Sequence, residues 1–261
     1  SKRLWARFDA ESGGVLGADF EGAVVFSEPG RSGWAEHARF DEVAGEVVLR
    51  GGEARLVDEA QGSELRGRQI RIGTRSHDIT AREKVRHTVS RKGEAGIGPL
   101  GGDEPTVLLC QEFDYVAATK TARYHEQALL RSGRDEIRAP LIEIEEPAEG
   151  ARRLRAEGGV SSLMHPRPAK GEKKVPAAIE TRSRELVYDE KARRIVYTGE
   201  VELRQGDILS KSPEAIVLLA ADGKTIDRLL AGSPVEVRQG ARSARGERGT
   251  YTPWDETLVL V

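Results

Sequence analysis

At 261 residues the chain has room for one large or two smaller all-β domains and is long enough to bury a core. Its 41 basic residues nearly cancel its 43 acidic ones, which removes any bulk electrostatic reason to expect a nucleic-acid partner. Cys110 is the only cysteine, so an intrachain disulfide and a thiolate metal cluster are both excluded, and no window approaches 18 consecutive apolar residues, so no helical membrane span is expected.

The opening, Ser1-Lys-Arg-Leu-Trp-Ala-Arg-Phe8, does not read as a signal peptide. With no initiator Met and an apolar strand at Leu258–Val261, the chain reads as an excised piece, from which a signal or membrane anchor could have been removed before Ser1. Gly22–Phe26 is a strand that ends at the turn Ser27–Gly33. Then Ala38–Glu42, with Phe40, leads to Glu46–Gly52, with Val47 and Leu49 on one face, and on to Glu53–Val57. Next come Glu64–Ile72, carrying Ile70 and Ile72, and Asp78–Val89, where Ile79, Ala81, Val85 and Val89 share a face.

Ser90 to Pro105 is Gly-rich and charged and reads as an insertion. Helical periodicity is best between Val116 and Arg131, yet Ala122, Tyr124, Ala128 and Leu130 fit alternation equally well. Glu136–Ile144 follows, with Ile142 and Ile144, and then Leu154–Val160. Met164 to Pro176 holds Pro166, Pro168 and Pro176 among basic residues, a composition that cannot sit inside a sheet. The expected division is therefore 1–163, a loop or linker over 164–178, and 179–261.

The clearest stretch lies in the last of these. From Arg194 to Arg204 the odd positions are Ile195, Tyr197, Gly199, Val201 and Leu203, while the even ones are mostly charged, which is a strand with one apolar face. Glu185–Arg193, containing Tyr188, precedes it and makes the pair a hairpin. Ile208–Leu218, with Ile216 and Leu218, and Leu230–Val237, with Val235 and Val237, continue the pattern. Phe40, Tyr124, Tyr188 and Tyr251 recur at intervals of 84, 64 and 63 residues, which reads as a β-repeat array. Many short antiparallel strands with one apolar face predict a sandwich, barrel, jellyroll or solenoid.

Leu186–Gly206 and Gly246–Leu260 resemble the OstA-like repeat of the lipopolysaccharide-export bridge, the family of LptA, LptC and the N-terminal domain of LptD. The resemblance covers roughly residues 35 to 261 and is strongest after Glu180. It implies an all-β antiparallel jellyroll of two splayed sheets, elongated by stacking end to end. It also implies an apolar trough that holds the acyl chains of lipopolysaccharide or a related glycolipid. The trough would be lined by Phe40, Val47, Leu49, Ile70, Ile72, Tyr124, Ile142, Ile144, Tyr188, Ile195, Tyr197, Val201, Leu203, Ile216, Leu218, Val235 and Val237. Further implied are phosphate contacts from Arg238, Arg242 and Arg245, a periplasmic location with an inner-membrane anchor outside this chain, and no catalysis or cofactor. The implied partners are other β-jellyroll bridge proteins, met through edge strands, and an inner-membrane ABC transporter complex. The insertions at 90–105 and 164–176 depart from the shorter family members.

Taken from the residues alone, the same apolar stripe is equally the closed core of a structural or adhesive β-repeat protein, since both readings need the same face. A carbohydrate-active β-solenoid enzyme is a third reading. Gly96–Gly101 spells a dinucleotide fingerprint, but Pro105 follows and no helix can begin there, so a loop is expected. His37, His77, His87, His125 and His165 lack metal-ligand spacing and read as scattered surface or strand residues. Glu143, Glu145 and Glu146 read as a strand's solvent face, and Cys110 as a small buried hydrophobe. Arg238, Arg242, Arg245 and Arg248 form a basic cluster, either plain surface or a phosphate contact at the trough mouth.

Overall fold

The structure is a computed structural model that describes residues 1–90, 104–147, 151–166, 176–253 and 257–261. The fingerprint at Gly96–Gly101, most of the 90–105 insertion and residues 167–175 lie outside the described residues. Among those described there are eighteen β-strands and no helix. The stretch that held the best helical periodicity is a turn at 117–120 followed by strand from Thr121, where Tyr124, Ala128 and Leu130 bury one face.

The chain forms two compact units, residues 1–94 with 107–126 and residues 95–106 with 127–261. The first contains β1 (Arg3–Phe8), β2 (Val15–Glu28), β3 (Arg31–Asp41), β4 (Glu46–Asp58), β5 (Ser63–Gly73), β6 (Ile79–Val89) and nearly all of β7 (Thr106–Val116). β8 (Thr121–Ser132) gives Thr121–Glu126 to the first unit and Gln127–Ser132 to the second. The second unit continues with β9 (Asp135–Glu145), β10 (Arg153–Met164), β11 (Ile179–Asp189), β12 (Arg194–Gln205) and β13 (Ile208–Leu219). It ends with five short strands: β14 (Ile226–Ala231), β15 (Val235–Gln239), β16 (Arg242–Gly246), β17 (Gly249–Thr252) and β18 (Thr257–Leu260). The segment 164–178 falls inside the second unit, and its flanks pair directly, Met164 opposite Ile179.

Consecutive long strands pair antiparallel, and their ladders break near the middle. The register shifts between Glu21 and Val24, Arg50 and Ala54, Glu157 and Val160, and Thr198 and Val201. At each break a pair of residues with positive φ supplies the extra residue of a bulge. These pairs are Gly22-Ala23, Gly51-Gly52, Glu83-Lys84, Gly158-Gly159 and Gly199-Glu200, on β2, β4, β6, β10 and β12, and Glu126-Gln127 on β8 has the same two positive φ values. Gly199 shows why glycine suits the place: a Cβ there would lie 2.8 Å from the Arg184 side chain on the neighbouring strand, at a φ of 81°.

Six of the twelve long strands are creased in this way, and the two halves of each belong to two walls. The repeat is one creased hairpin of roughly 30 residues, lengthened at 90–105 and 164–178. This corrects the repeat read from aromatic spacing, since Phe40, Tyr124, Tyr188 and Tyr251 lie on β3, β8, β11 and β17, which are not equivalent strands.

In the first unit the walls meet. Leu49 reaches the opposite wall at Gly33, where a Cβ would come within 2.9 Å of Leu49 Cδ1. Cross-strand pairs Val47 with Ile72 and Leu49 with Ile70 are buried, and Phe40, opposite Val47, is half-buried on the same face. Further along, His87, Phe113 and Tyr124 cluster, with ring centroids 5.0 to 6.0 Å apart and His87 Nδ1 sharing a hydrogen bond of 2.7 Å with the Tyr124 hydroxyl. His87 is a strand residue, as expected, on β6, with its ring half-buried against Phe113 and Tyr124. The Cys110 thiol is buried and its pKa is pushed up to about 12 by that burial, which makes it the small hydrophobe expected.

Candidate functional site

The second unit carries two walls whose inward rows are fixed by register. On one wall the cross-strand row runs Ile144, Leu154, Tyr188, Ile195, Val217, Leu229, Tyr251 and Leu258. Beside it lies Ile142, Ala156, Leu186, Tyr197, Ala215 and Ala231. Directly opposite residues of an antiparallel pair share a face, so each row is one continuous strip along the sheet.

The other wall is different in chemistry. Its row runs Ile137, Ser162, Thr181, Leu203, Ser210, Val237 and Ala244, and the row at its rim runs Met164, Ile179, Gln205, Ile208, Gln239 and Arg242. Ser162, Thr181 and Gln205 are all at least nine-tenths buried. One wall is hydrocarbon apart from its tyrosine hydroxyls, while the other interleaves hydroxyls and an amide with aliphatic side chains.

Tyr197 bridges the two walls. Its hydroxyl stands 2.9 Å from Ser162 Oγ, and burial raises its pKa to about 12. Tyr188 is also raised to about 12, chiefly by burial.

At β13 the walls part. The first half of β13 pairs with β15 and the second half with β14, so each wall continues separately, one through β16 and the other through β17 and β18. Gly232–Pro234 interrupts what the sequence reads as one strand over 230–237. Between the diverging walls is an apolar pocket with about 30 Å³ of free space, bordered by Leu203, Gln205, Ser210 and Val237 from one wall and Ala215, Leu229 and Tyr251 from the other. That space has room for only a water or two, so the walls stand close together here.

Most of the predicted lining lies on these faces. Ile142, Ile144, Tyr188, Ile195, Tyr197, Val201, Leu203, Val235 and Val237 are buried in the second unit. Ile216 and Leu218 are corrections. Ile216 pairs with Val196 and Leu218 with Arg194, so both lie on the outer face, while Ala215, Val217 and Leu219 point inward. The cause is that Ile216–Leu219 is apolar at every position, which leaves alternation without a phase.

The three arginines also separate. Arg238 and Arg245 lie on the outer face, and Arg245 is paired to Glu236 at 2.8 Å. Arg242, opposite Gln239, stands on the inner face at the rim, so the predicted cluster is one inward and two outward residues. Glu143 and Glu145 line an outer groove with Arg153, Arg155 and Asp189, an alternation of charges across strands that suits a solvated face. Glu202, beside Lys211 on the outer face, has its carboxyl held below the usual range mainly by the hydrogen bond from that ammonium. Among the described residues no group of three or more His, Cys, Asp or Glu side chains is arranged to hold a metal ion.

What alternation could not reveal is the crease and the difference between the walls. The glycine pairs at 51-52 and 158-159 are the signal that could have located the crease.

Comparison with known proteins places this site in context. The family described as LptA/(LptD N-terminal domain) LPS transport protein matches residues 180–261, just under a third of the chain and the segment that holds the pocket. Among solved structures, the chain is similar to LptH of Pseudomonas aeruginosa, described as the LptA-homologous periplasmic component of the lipopolysaccharide transport device. The identity is 12%, the TM-score is 0.41, and the match covers 55% of this chain and 94% of that one. No curated protein sequence matches the chain. The family model thus matches the same segment, residues 180–261, in which the sequence most resembles the OstA-like repeat.

Proposed function

We propose that the interior between the two walls of residues 180–261 binds the acyl chains of lipopolysaccharide and passes the lipid across the periplasm as part of a bridge to the outer membrane. The observation that carries this reading is the pair of inward rows that run unbroken from β9 to a pocket where the walls diverge. Each methylene moved from water into such an interior gains about 0.8 kcal/mol, so several acyl chains are held without a polar motif. The walls must part to admit them, and Tyr197 must release Ser162 where the bridge between walls stands.

Neighbouring bridge proteins of the same β-jellyroll type dock by adding strands to free edges. β1 pairs only with β2 among the described residues and exposes Leu4, Trp5 and Phe8. An inner-membrane ABC transporter supplies the lipid and the energy, and an anchor outside this chain tethers the protein to that membrane. The chain's own work is binding and passage, not catalysis.

Photocross-linking tests this. With a photoreactive residue at Tyr197 or Leu203, purified lipopolysaccharide forms adducts. With the residue at Glu202 or Arg204, on the outer face of the same strand, it does not. A second reading, a structural repeat with a closed core, is favoured by the contact of Leu49 with the Gly33 position in the first unit. Absence of adducts from every position in folded protein decides for it.

A further inference from the structure

The pocket at the mouth of the second unit holds one polar group that the fold leaves unanswered. The Gln205 side chain is about 5% exposed, and its Nε2 donates to the Ala177 carbonyl at 2.9 Å. That bond fixes which way the amide points. Its Oε1 is buried and accepts no hydrogen bond from any described residue. A buried acceptor without a donor costs roughly 1–3 kcal/mol, and an apolar side chain of the same shape would avoid the cost. A lipid trough that only needed hydrocarbon would place such a side chain here, as it does at Ile179 and Ile208 in the same row.

Gln205 is also at a particular depth. It is the last residue of β12, and the exposed turn residues Gly206 and Asp207 follow it directly. An amphiphile entering between the walls leaves its headgroup in water at this rim, so the part of an acyl chain that reaches Gln205 is the part closest to the head. Ser210 and Ser212 border the same pocket from the same wall, and Leu229, Tyr251 and Val235 surround it with apolar surface.

We infer that Gln205 is a specificity-determining residue for acyl chains that carry a hydrogen-bond donor near the carbonyl end, a hydroxyl or an amide N–H, which its Oε1 accepts when the walls part. This rests on the reading of the interior as an acyl-chain site and names the class of chain it prefers. An unsubstituted chain gains the burial of its methylenes but leaves Oε1 unpaired, whereas a chain with a 3-hydroxyl gains both. A site that supplies a hydrogen-bonding group discriminates against the ligand that lacks the matching one.

The test is isothermal titration calorimetry of the whole chain with tetradecanoate and 3-hydroxytetradecanoate, each below its micelle concentration. The expected result is about tenfold tighter binding of the hydroxylated probe. Gln205→Met and Gln205→Leu, each checked for native circular dichroism, bind tetradecanoate at least as tightly as the parent chain and lose the preference, with a ratio near one. Equal affinity of the parent chain for both probes overturns the inference while leaving the acyl-chain site standing, as does a preference that survives Gln205→Met. Binding of neither probe overturns the acyl-chain reading itself and the inference with it.

Discussion

Burial against Phe113 and Tyr124 lowers the His87 pKa from 6.5 to about 4, with Asp58 pulling weakly the other way. The folded state therefore keeps this ring neutral over a range where the unfolded chain takes up a proton. Stability from the neutral ring is fully present above about pH 6.5, declines as pH falls toward 4 and changes no further below that. Because the ring is only partly covered, the loss is at most about 3 kcal/mol. Urea midpoints measured from pH 7.5 to 4 should fall more steeply for the parent chain than for His87→Gln. Parallel slopes would show that the ring titrates freely. Alternation placed Tyr124 correctly but could not find His87, because a histidine on a strand looks the same in sequence whether its ring faces water or two aromatics.

At the scale of the element, the creased strand explains more than any single contact. Six strands carry a pair of residues with positive φ at mid-length, and four of those pairs contain glycine. Where Gly199 lies under Arg184, alanine must both adopt a left-handed backbone and displace a side chain 2.8 Å away. Gly199→Ala should destabilise the chain by about 2 kcal/mol. Glu126 holds the equivalent crease position on β8 with a φ of 58° and carries that strain already, so Glu126→Gly should be neutral or stabilising by up to about 1 kcal/mol. Denaturant melts of the two variants decide it, and a destabilised Glu126→Gly would mean that the left-handed conformation is not what the crease requires. The strands themselves were legible because each buries alternate residues. The crease was only half legible, since Glu83-Lys84 and Glu126-Gln127 are indistinguishable in sequence from ordinary solvent-facing strand residues.

At the scale of the whole molecule, the all-β antiparallel build was readable from period-two patterning, and the likeness of residues 180–261 to the matched family was readable from the Leu186–Gly206 stretch. The site was readable in part. Ile195, Tyr197, Val201 and Leu203 alternate with charged residues and so declare their face, whereas Ile216–Leu219 is apolar throughout and hides it until the pairing of Ala215 with Tyr197 and Val217 with Ile195 is known. The inequality of the walls, hydrocarbon on one side and Ser162, Thr181 and Gln205 on the other, depends on which strand halves face each other, and no local pattern encodes that.

That uninformative strand offers the most direct test of the account. A photoreactive residue placed in turn at Ala215, Ile216, Val217 and Leu218, followed by irradiation with lipopolysaccharide, reads both faces of β13 at adjacent positions. Adducts at Ala215 and Val217 with none at Ile216 and Leu218 are the predicted result, a period of two in phase with the interior. Adducts at Ile216 and Leu218 alone, or equal labelling at all four positions, would contradict a lipid path between the walls.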